Sequence, residues 1–424
     1  MTPAEVQVVI LPEEALPSCR FCGAELRHTL VDLGMSPLCE SFLERDQLAA
    51  MEAFYPLHVR ICERCFLAQL SEYVTPDEIF TEYAYFSSYS ESWVRHARDY
   101  ADAMIDRFAL TDEHMVVEVA SNDGYLLQHF VARGIPVLGI EPAANVAPAA
   151  EARGVATLVE FFGTELARSL AGEGRRADVI AANNVLAQVP DLNDFVAGLR
   201  ELLAADGVVT VEFPHLLRLI DENQFDTIYH EHFSYFSFET ARAIFAAHGL
   251  RVFDVDELPT HGGSLRLYAC RAESLAHPTE SSVEELADRE HMAGYRTLAP
   301  YSGFGARVEE TKRALLDFLI QAKRDGRTVA GYGAPGKGNT LLNYCGIRTD
   351  FLDYVVDRNP YKHGRFLPGT HIPIFAPEKL GETRPDFILI MPWNLRAEIS
   401  AQLAYTKEWG ARFVVAIPEL EVFE

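Results

Sequence analysis

The sequence predicts an α/β protein in which a small cysteine-rich section precedes two α/β domains. Four of the seven cysteines fall into two CxxC pairs within the first 80 residues. Apolar runs bounded by Gly, Asp and Asn alternate with helical stretches between residues 116 and 270, and the alternation restarts after residue 326. Strands that alternate with helices indicate parallel, doubly wound sheets, so both later domains are predicted to be Rossmann-like, the second one smaller.

The paired cysteines predict a structural zinc site. They are Cys19, Cys22, Cys62 and Cys65. A CxxC turn directs two thiolates at one ion, and zinc prefers four such ligands in a tetrahedron. Four thiolates leave no position for water or substrate, so the metal would be structural. His28 and Cys39 are the possible substitute ligands, although each is expected to be a packing or surface residue. Two redox motifs or buried free thiols are the alternative to zinc.

The alternating segments define the predicted strands and domain boundaries. The first α/β domain should contain the strands VVEVA, IPVLGIE, ADVIAAN, GVVTVEF, LRVFDVDEL and GSLRLYACR, the last two as an antiparallel pair. The second should contain TVAGYGA, FLDYVVD, DFILIMP and RFVVAIP, after a charged helical connector at roughly residues 278–326. The predicted domains are 1–80, 81–275 and 276–424.

The composition is that of an ordinary globular protein. Its 424 residues are 49% apolar and 23% charged. A formal net charge of −25 argues against binding to nucleic acid or an anionic membrane. The N-terminal segment lacks a basic region, and no run of about 18 apolar residues occurs. We therefore expect a cytoplasmic monomer.

A cofactor site is predicted at the carboxyl ends of the first domain's strands. Glu118 lies in the first strand, and the turn after it allows the backbone to approach a ligand closely. The turn residues are Ser121, Asn122, Asp123 and Gly124. Glu141 ends the second strand, where a carboxylate can accept both hydroxyls of an adenosine ribose, and Asn183 and Asn184 end a later strand. This order is typical of a class I S-adenosylmethionine methyltransferase; another Rossmann-like nucleotide binder is the alternative.

Longer motifs resemble those of one enzyme family. In order they are EVASNDGYLL, NNVLAQVPD, VEFPHL, IYHEHFSYFS, HGGSLRLY, GYGAPGKGNTLLNYCGI and VVDRNPYKHGRFLPGTHIPI. They resemble the nucleotide-sugar C-methyltransferases of antibiotic deoxysugar pathways, whose N-terminal zinc-binding domain the cysteine section also resembles. The resemblance implies methyl transfer from S-adenosylmethionine to C3 of a dTDP-linked keto-deoxyhexose. Ala120 replaces an expected Gly, a minor steric change, and Gln188 replaces the His of many relatives, which weakens any proton-relay role there.

The segment TIYHEHFSYFS, residues 227–237, predicts the catalytic base. Methylation of carbon requires an enolate, and therefore a base that removes a proton next to a carbonyl. The segment lies just beyond a core strand's carboxyl end, where α/β sheets bind ligands. His230 and His232 are two positions apart, so an alternating segment would point Glu231 away from both. A metal site and two structural histidines are the alternatives.

The resemblance also assigns roles to individual residues. It makes His232 the base, with Tyr229 and Glu231 polarising the substrate or orienting the imidazole, and His230 structural. It places the aromatic-rich segment TEYAYFSSYSESW at the sugar, with Tyr85 or Tyr83 near the reacting carbonyl. The other residues expected to face the sugar are Ser87, Ser88 and His261. Core filling is the alternative for the aromatic segment.

The glycine-rich segment GYGAPGKGNT, residues 331–340, follows an apolar strand and opens a helix. Its backbone amides and Lys337 are therefore candidates for holding a phosphate. It is not a Walker motif, and a tight strand-to-helix turn without a ligand is the alternative. The resemblance implies that this domain helps to bind the nucleotide-sugar, with Lys337, Arg358 and Lys362 as the cations for the diphosphate.

Two other functions stay open on the sequence alone. A nucleotide-sugar oxidoreductase would also have paired α/β domains, although the missing GxGxxG motif counts against it. A non-enzymatic zinc-ribbon adaptor would leave the YHEH segment at a strand end unexplained.

Overall fold

The structure is a computed structural model that describes residues 16–80, 87–89 and 91–424. The strands are β1 (His28–Ser36), β2 (Tyr55–Ile61), β3 (Ala68–Leu70), β4 (Val116–Val119), β5 (Val137–Ile140), β6 (Thr157–Leu158), β7 (Ala177–Asn183), β8 (Leu203–Pro214), β9 (Ser234–Tyr235), β10 (Leu250–Leu258), β11 (Ser264–Arg271), β12 (Val329–Tyr332), β13 (Val355–Val356), β14 (Ile374–Phe375), β15 (Phe387–Ile390), β16 (Arg412–Val415) and β17 (Glu421–Phe423). The α-helices are α1 (Pro76–Phe80), α2 (Glu91–Phe108), α3 (Leu127–Val131), α4 (Ala147–Glu151), α5 (Thr164–Gly172), α6 (Leu192–Leu202), α7 (Leu216–Asp221), α8 (Phe238–Ala247), α9 (Ser281–Met292), α10 (Phe304–Arg324), α11 (Gly336–Cys345), α12 (Lys379–Thr383) and α13 (Arg396–Gln402). These elements form three sheets.

A four-stranded antiparallel sheet in the order β1-β2-β3-β9 follows the first CxxC pair. Its last strand comes from much later in the chain, because β9 directly follows the YHEH segment and pairs Ala68 with Tyr235. In β2, Leu57, Val59 and Ile61 alternate as buried residues, as expected for a strand with one buried face. The predicted domain boundaries stay predictions, but this one strand crosses them.

The central sheet has seven strands in the order β10-β11-β8-β7-β4-β5-β6. The strands β4 to β8 run parallel, whereas β11 is antiparallel to both β8 and β10, which confirms the predicted antiparallel pair. All four residues of β4 are buried, because helices cover both faces of a doubly wound sheet. The helix after β7 is α6, which begins at the cap Asp191 and buries Leu192, Phe195 and Leu199.

The C-terminal sheet has six strands in the order β14-β13-β12-β15-β16-β17. The four predicted strands are present and parallel, and α9 and α10 occupy the predicted helical connector. The strands β14 and β17, which have two and three residues, were not predicted from the sequence. The described chain contains no helix with the length and apolarity needed to cross a bilayer.

The buried apolar residues link the sections to one another. One cluster contains Leu57 and Val59 of the N-terminal sheet together with Leu341, Leu342 and Val355 of the C-terminal part. The first and third sections therefore share a core, and the central sheet presents its strand ends to the junction.

Candidate active site

A cavity of about 900 Å³ lies at the carboxyl ends of the central strands. Residues from every section line it, including Cys39 from the N-terminal section, Glu141 and His232 from the central one, and Lys337 from the C-terminal one. This is the edge at which doubly wound sheets bind ligands.

The carboxylate of Glu141 is fixed at the end of β5. It accepts hydrogen bonds from the backbone N–H groups of Asn122, at 2.8 Å, and Ala143, at 2.9 Å. Each oxygen uses one lone pair in this way and keeps the other for a ligand. Burial raises the pKa of Glu141, while these two amides oppose the rise. The arrangement fits the two hydroxyls of an adenosine ribose.

Other residues predicted to bind the cofactor lie behind the cavity wall. The Ser121 hydroxyl packs against Gly139, and the Asp123 carboxylate accepts a hydrogen bond from the Ser88 hydroxyl and lies 3.3 Å from Arg153 Nη1. Gly124 has a φ of +74°. Ser121, Asp123 and Gly124, with Ser88, therefore shape the loop around Asn122 and do not line the cavity themselves, and their contact with the cofactor stays a prediction.

Glu118 is also set back from the cavity, since it is fully buried within β4. Burial, reinforced by the charge on Glu141, raises the pKa of Glu118 well above its usual range. We expect a neutral Glu118 to support the loop, not to contact the cofactor.

The replacement of an expected Gly by Ala120 is not the minor steric change predicted above, because it affects the backbone conformation. Its φ of +57° is in the left-handed region, as is the φ of +48° at Asn122. A side chain in that region costs about 1–2 kcal/mol. The position therefore favours Gly for its backbone conformation.

Asn183, Asn184 and Gln188 line the cavity at the end of β7. Asn184 has a φ of +58°, and its N–H donates to Glu212 O at 2.7 Å. Within the described part of the chain, Asn183 Oδ1 and Asn184 Nδ2 are buried without a hydrogen-bond partner. Buried polar atoms are normally paired, so these two indicate a polar ligand.

The YHEH segment is a turn and not an alternating strand. The N–H of His232 donates to Tyr229 O at 2.9 Å and closes the turn. Tyr229, Glu231 and His232 consequently all line the cavity. The expectation that Glu231 points away from both histidines is therefore wrong. His230 leaves the cavity, with Nε2 3.3 Å from Pro56 O in the N-terminal sheet.

A backbone carbonyl fixes the tautomer of His232. Its Nδ1 lies 2.9 Å from Thr227 O, which can only accept, so Nδ1 carries the proton and Nε2 the lone pair. The Tyr229 ring packs against the imidazole with a centroid distance of 4.1 Å. Burial and then the charge on Lys337 lower the pKa of His232 to about 4. The imidazole is therefore neutral at pH 7.

Several residues that line the cavity were not predicted as site residues, and Cys39 and Trp93 are two of them. Cys39 lies far from the other cysteines of its section and donates from Sγ to Glu231 Oε1, at 3.6 Å. No local pattern indicates such a contact between residues so distant in sequence. The ring centroids of Trp93 and His261 are 5.4 Å apart in an edge-on arrangement. Trp93 belongs to the aromatic-rich segment, and the composition of that segment was the signal that could have predicted its place in the cavity.

The residues expected at the sugar divide into three groups. Ser87 and His261 line the cavity, and Ser87 N–H donates to Asn122 Oδ1 at 3.0 Å. Burial, then the charge on Lys337, lowers the pKa of His261 to about 3. Ser88 binds the cofactor loop, as described above. The predicted Tyr83 and Tyr85 lie outside the described residues.

The glycine-rich segment is a tight strand-to-helix turn between β12 and α11. Its Gly333 and Ala334 N–H groups donate to Val356 O and Asp357 Oδ2, both at 2.7 Å. Two of the segment's amides are therefore occupied within the protein, and a phosphate-binding role for the others stays a prediction. Gly333 has a φ of +86°. This left-handed conformation favours glycine, which explains why one of the glycines of the segment is present.

The three predicted diphosphate cations lie in different places. Lys337 lines the cavity. Lys362 lies outside it, with Nζ 2.8 Å from Ala334 O and 3.5 Å from Glu40, so its role as a diphosphate ligand stays a prediction. Arg358 lines a neighbouring depression of about 740 Å³ together with Arg95.

The four paired cysteines form a metal site. The sulfur atoms of Cys19 and Cys65 are 3.5 Å apart, those of Cys22 and Cys62 are 3.6 Å apart, and all four lie within 4.8 Å of one another. A tetrahedron with Zn–S bonds of about 2.3 Å requires sulfur separations of about 3.8 Å. The group fits zinc. Among the described residues no second group of three potential ligands is this compact, and the histidines of YHEH diverge.

Comparisons with known proteins agree with this site. Three family models match: "Putative zinc binding domain" at residues 19–80, "Methyltransferase domain" at 93–255 and "C-methyltransferase C-terminal domain" at 259–418. C-methyltransferase NovU from Streptomyces niveus is 37% identical over 407 residues, which cover 96% of this chain and 97% of NovU.

Solved structures match less than half of the chain, and only weakly. Magnesium protoporphyrin IX methyltransferase ChlM from Synechocystis, with bound SAM, has 14% identity and a TM-score of 0.33, covering 42% of this chain and 79% of ChlM. Burkholderia thailandensis 1,6-didemethyltoxoflavin-N1-methyltransferase has 17% identity and a TM-score of 0.35, covering 49% of this chain and 95% of that one. Scores this low add nothing to the family assignment.

The central sheet and its cavity define a class I S-adenosylmethionine methyltransferase, here combined with a zinc-binding N-terminal section. More particularly, the chain belongs to the C-methyltransferase family, as its match to NovU along nearly its whole length shows. It is therefore an enzyme, and this assignment replaces the oxidoreductase and adaptor alternatives.

We expect Cys62→Ser to lose the zinc ion and to lower the melting temperature, because three thiolates hold the ion less tightly than four. The measurement is elemental analysis, with one zinc per chain expected for the wild type. Cys270→Ser is the matched control, since Cys270 is a buried thiol on β11 outside the metal site. Freshly purified wild-type protein without zinc would contradict the assignment.

We expect Glu141→Ala to weaken S-adenosylmethionine binding by about 1–3 kcal/mol, because the ribose hydroxyls lose their acceptor and two loop amides lose theirs. Titration calorimetry measures the affinity, and the melting temperature reports whether the variant folds. Glu151→Ala, at an exposed position on α4, serves as the control. Unchanged affinity in folded Glu141→Ala would show that the ligand or its position is different.

Proposed function

We propose that this protein transfers the methyl group of S-adenosylmethionine to C3 of a dTDP-linked keto-deoxyhexose, in deoxysugar or antibiotic biosynthesis. His232 acts as the base that generates the enolate. The family match supports methyl transfer to carbon, and the sequence resemblance supports the sugar nucleotide.

The observation that carries this proposal is the fixed tautomer of His232. Because Nδ1–H is held by Thr227 O at 2.9 Å, the lone pair is on Nε2, in a residue that lines the cavity. Proton abstraction next to a carbonyl needs an acceptor in this state and position. Carbon is otherwise too weak a nucleophile to attack a methyl group.

Tyr229 and Glu231 flank the base and are suited to bind the substrate's polar groups. Burial, followed by the charge on Glu231, raises the pKa of Tyr229 well above its usual range, so the hydroxyl keeps its proton and can donate. The hydrogen bond from Cys39 helps to orient the Glu231 carboxylate. Tyr85 stays a prediction for the reacting carbonyl.

The residues at the strand ends would hold the cofactor beside this base. Glu141 would accept the ribose hydroxyls, and Asn122, Asn183 and Asn184 contribute further polar groups on the same wall. S-adenosylmethionine, when bound, supplies an electrophilic methyl group. The cofactor residues and the base share one cavity, so the protein can hold the reacting carbon at near-attack distance from the methyl group. Such positioning provides a large part of the rate acceleration.

The depression beside the cavity is our proposed place for the nucleotide diphosphate. Arg95 and Arg358 line it, and Ser92 lines both the depression and the cavity. Neither arginine forms an ion pair with a described residue, although Glu378 and Glu398 also line the depression. A two-part substrate would thus have its sugar in the cavity and its diphosphate beside it.

The direct test is incubation with S-adenosylmethionine and a panel of dTDP-keto-hexoses. A mass gain of one methylene on one of them, located at C3 by NMR, is the expected result. Methylation at oxygen or nitrogen would contradict the proposal.

We expect His232→Ala to bind both substrates nearly normally and to lose turnover by about 10²–10⁴-fold, the usual contribution of a positioned base. Uptake of solvent deuterium by the keto-sugar without methyl donor should fall with it. His230→Ala is the comparison, because His230 faces the N-terminal sheet and should keep substantial activity if it folds. Full turnover in folded His232→Ala would exclude this base.

The pH profile provides a separate test. The pKa of His232 is lowered from about 6.5 to about 4, so kcat/KM should stay level from pH 8 to 5.5 and fall only as pH approaches 4. The lowered pKa also makes the stability of the fold depend on pH. Between pH 4 and 6.5 the unfolded state binds more protons than the folded state. The stabilisation associated with the neutral His232 is therefore complete above pH 6.5 and is lost as pH falls toward 4. In denaturant titrations, the free energy of unfolding of His232→Asn should decline less with falling pH than that of the wild type. For the kinetics, an acid limb of kcat/KM centred near pH 6.5 would contradict the low pKa.

A further inference from the structure

Lys337 occupies an unusual position for a cation expected to bind phosphate. It is the second residue of α11 and lines the same cavity as His232 and Tyr229. Its Nζ lies 3.4 Å from His261 O and from Asn394 Oδ1, and 4.8 Å from the centre of the Trp393 ring. These neighbours are neutral, and the hydrogen bonds are long.

The charge on this lysine has no direct carboxylate partner among the residues that the structure describes. Within the described ranges no carboxylate oxygen lies within 4 Å of Lys337 Nζ. The relevant carboxylate is Asp226, which accepts a hydrogen bond from Trp393 Nε1 at 2.8 Å. Burial lowers the pKa of Lys337, and the charge on Asp226 opposes this. Burial raises the pKa of Asp226 to about 6, which leaves it ionised at neutral pH.

The surroundings of Lys337 do not favour a diphosphate. The preceding loop donates Ala334 N–H to the Asp357 carboxylate at 2.7 Å, and Glu40 lines the cavity beside Gly336. The Asp357 carboxylate would repel a doubly charged group there, whereas the charges of Glu40 and Lys362, 3.5 Å apart, offset each other. Arg95 and Arg358 lie in the neighbouring depression and are free of ion pairs with described residues.

The chemistry of the cavity instead calls for a cation at the sugar. When the C–H bond next to the carbonyl breaks, the proton goes to His232 Nε2 and the C–H pair forms a C=C bond. The carbonyl π pair moves to oxygen, which becomes an oxyanion. The pKa of His232, at about 4, makes it a weak base, so the oxyanion must be strongly stabilised for proton transfer to proceed.

We propose that the Lys337 ammonium binds the substrate's carbonyl oxygen and stabilises the enolate that His232 generates. This inference rests on the proposed C-methyltransferase reaction and replaces the diphosphate role predicted for Lys337. One cation then serves both halves of the step: its charge adds to burial in keeping the imidazole unprotonated before the reaction, and it neutralises the oxyanion as it forms.

The test compares Lys337→Met and Lys337→Arg with Lys312→Met. Lys312 is a matched control, because it also contacts a carbonyl, Tyr344 O at 2.6 Å, and an aromatic ring, but on α10 away from the cavity. The readouts are solvent deuterium uptake into the active keto-sugar without methyl donor, and the Kd of dTDP by calorimetry. Lys337→Met should lose deuterium uptake by about 10²–10³-fold with the Kd of dTDP unchanged, and Lys337→Arg should recover part of the rate.

The pH dependence tests whether the Lys337 ammonium lies close enough to His232 to act on it electrostatically. The charged or titratable groups around His232 and His261 include Lys337, Glu212 and His96. Removing the positive charge should raise the pKa of His232, so the acid limb of the residual exchange should move to higher pH in Lys337→Met.

Two results would overturn the inference. Weaker dTDP binding with normal deuterium uptake in Lys337→Met would return the lysine to the diphosphate, and unchanged uptake and dTDP binding would assign it no role. In both cases the wild type still methylates its sugar. Failure of the proposed function is different, because wild-type protein would then neither exchange nor methylate any keto-sugar on the panel.

Discussion

The turn Tyr229–His232, which carries the proposed base, is held by hydrogen bonds that come from every section of the chain. Just before the turn, Ile228 O accepts from the Thr340 hydroxyl of α11 at 2.8 Å. Within it, His230 contacts Pro56 O of the N-terminal sheet, and after it Phe233 N–H donates to Ala187 O at 2.8 Å. The turn has no regular structure of its own, so the orientation of the base depends on the assembly of all three sections.

The helix α11 shows how the C-terminal part contributes to this assembly. A Cβ at Gly336 would lie 2.9 Å from Cys39 Sγ and 3.7 Å from the Tyr229 ring, and Asn339 Nδ2 donates to Cys39 O at 2.6 Å. The absence of a side chain at Gly336 lets the helix end reach both neighbours. The glycine-rich segment is thus a packing element that also carries Lys337 into the cavity.

The sequence predicted what local patterns encode and missed what long-range contacts decide. Alternating apolar runs located the main strands, and Glu141 was identified because a strand end fixes its position. The strands β6, β14 and β17 have too few residues to show a period. The turn at YHEH was taken as alternating because its shape is set by distant partners, and the contact between Cys39 and Glu231 has no local signal.

The pairing of β9 with β3 also limits how this enzyme can be recombined. Residues 93–255 match one family model, but they include β9, a strand of the N-terminal sheet. In a chimera that took only this segment from a relative, the edge strand β9 of the N-terminal sheet and the turn Tyr229–His232 before it would both come from the relative. A functional chimera should therefore take the zinc section and the methyltransferase segment from the same parent. Among natural relatives, we expect sequence changes in the two segments to be correlated.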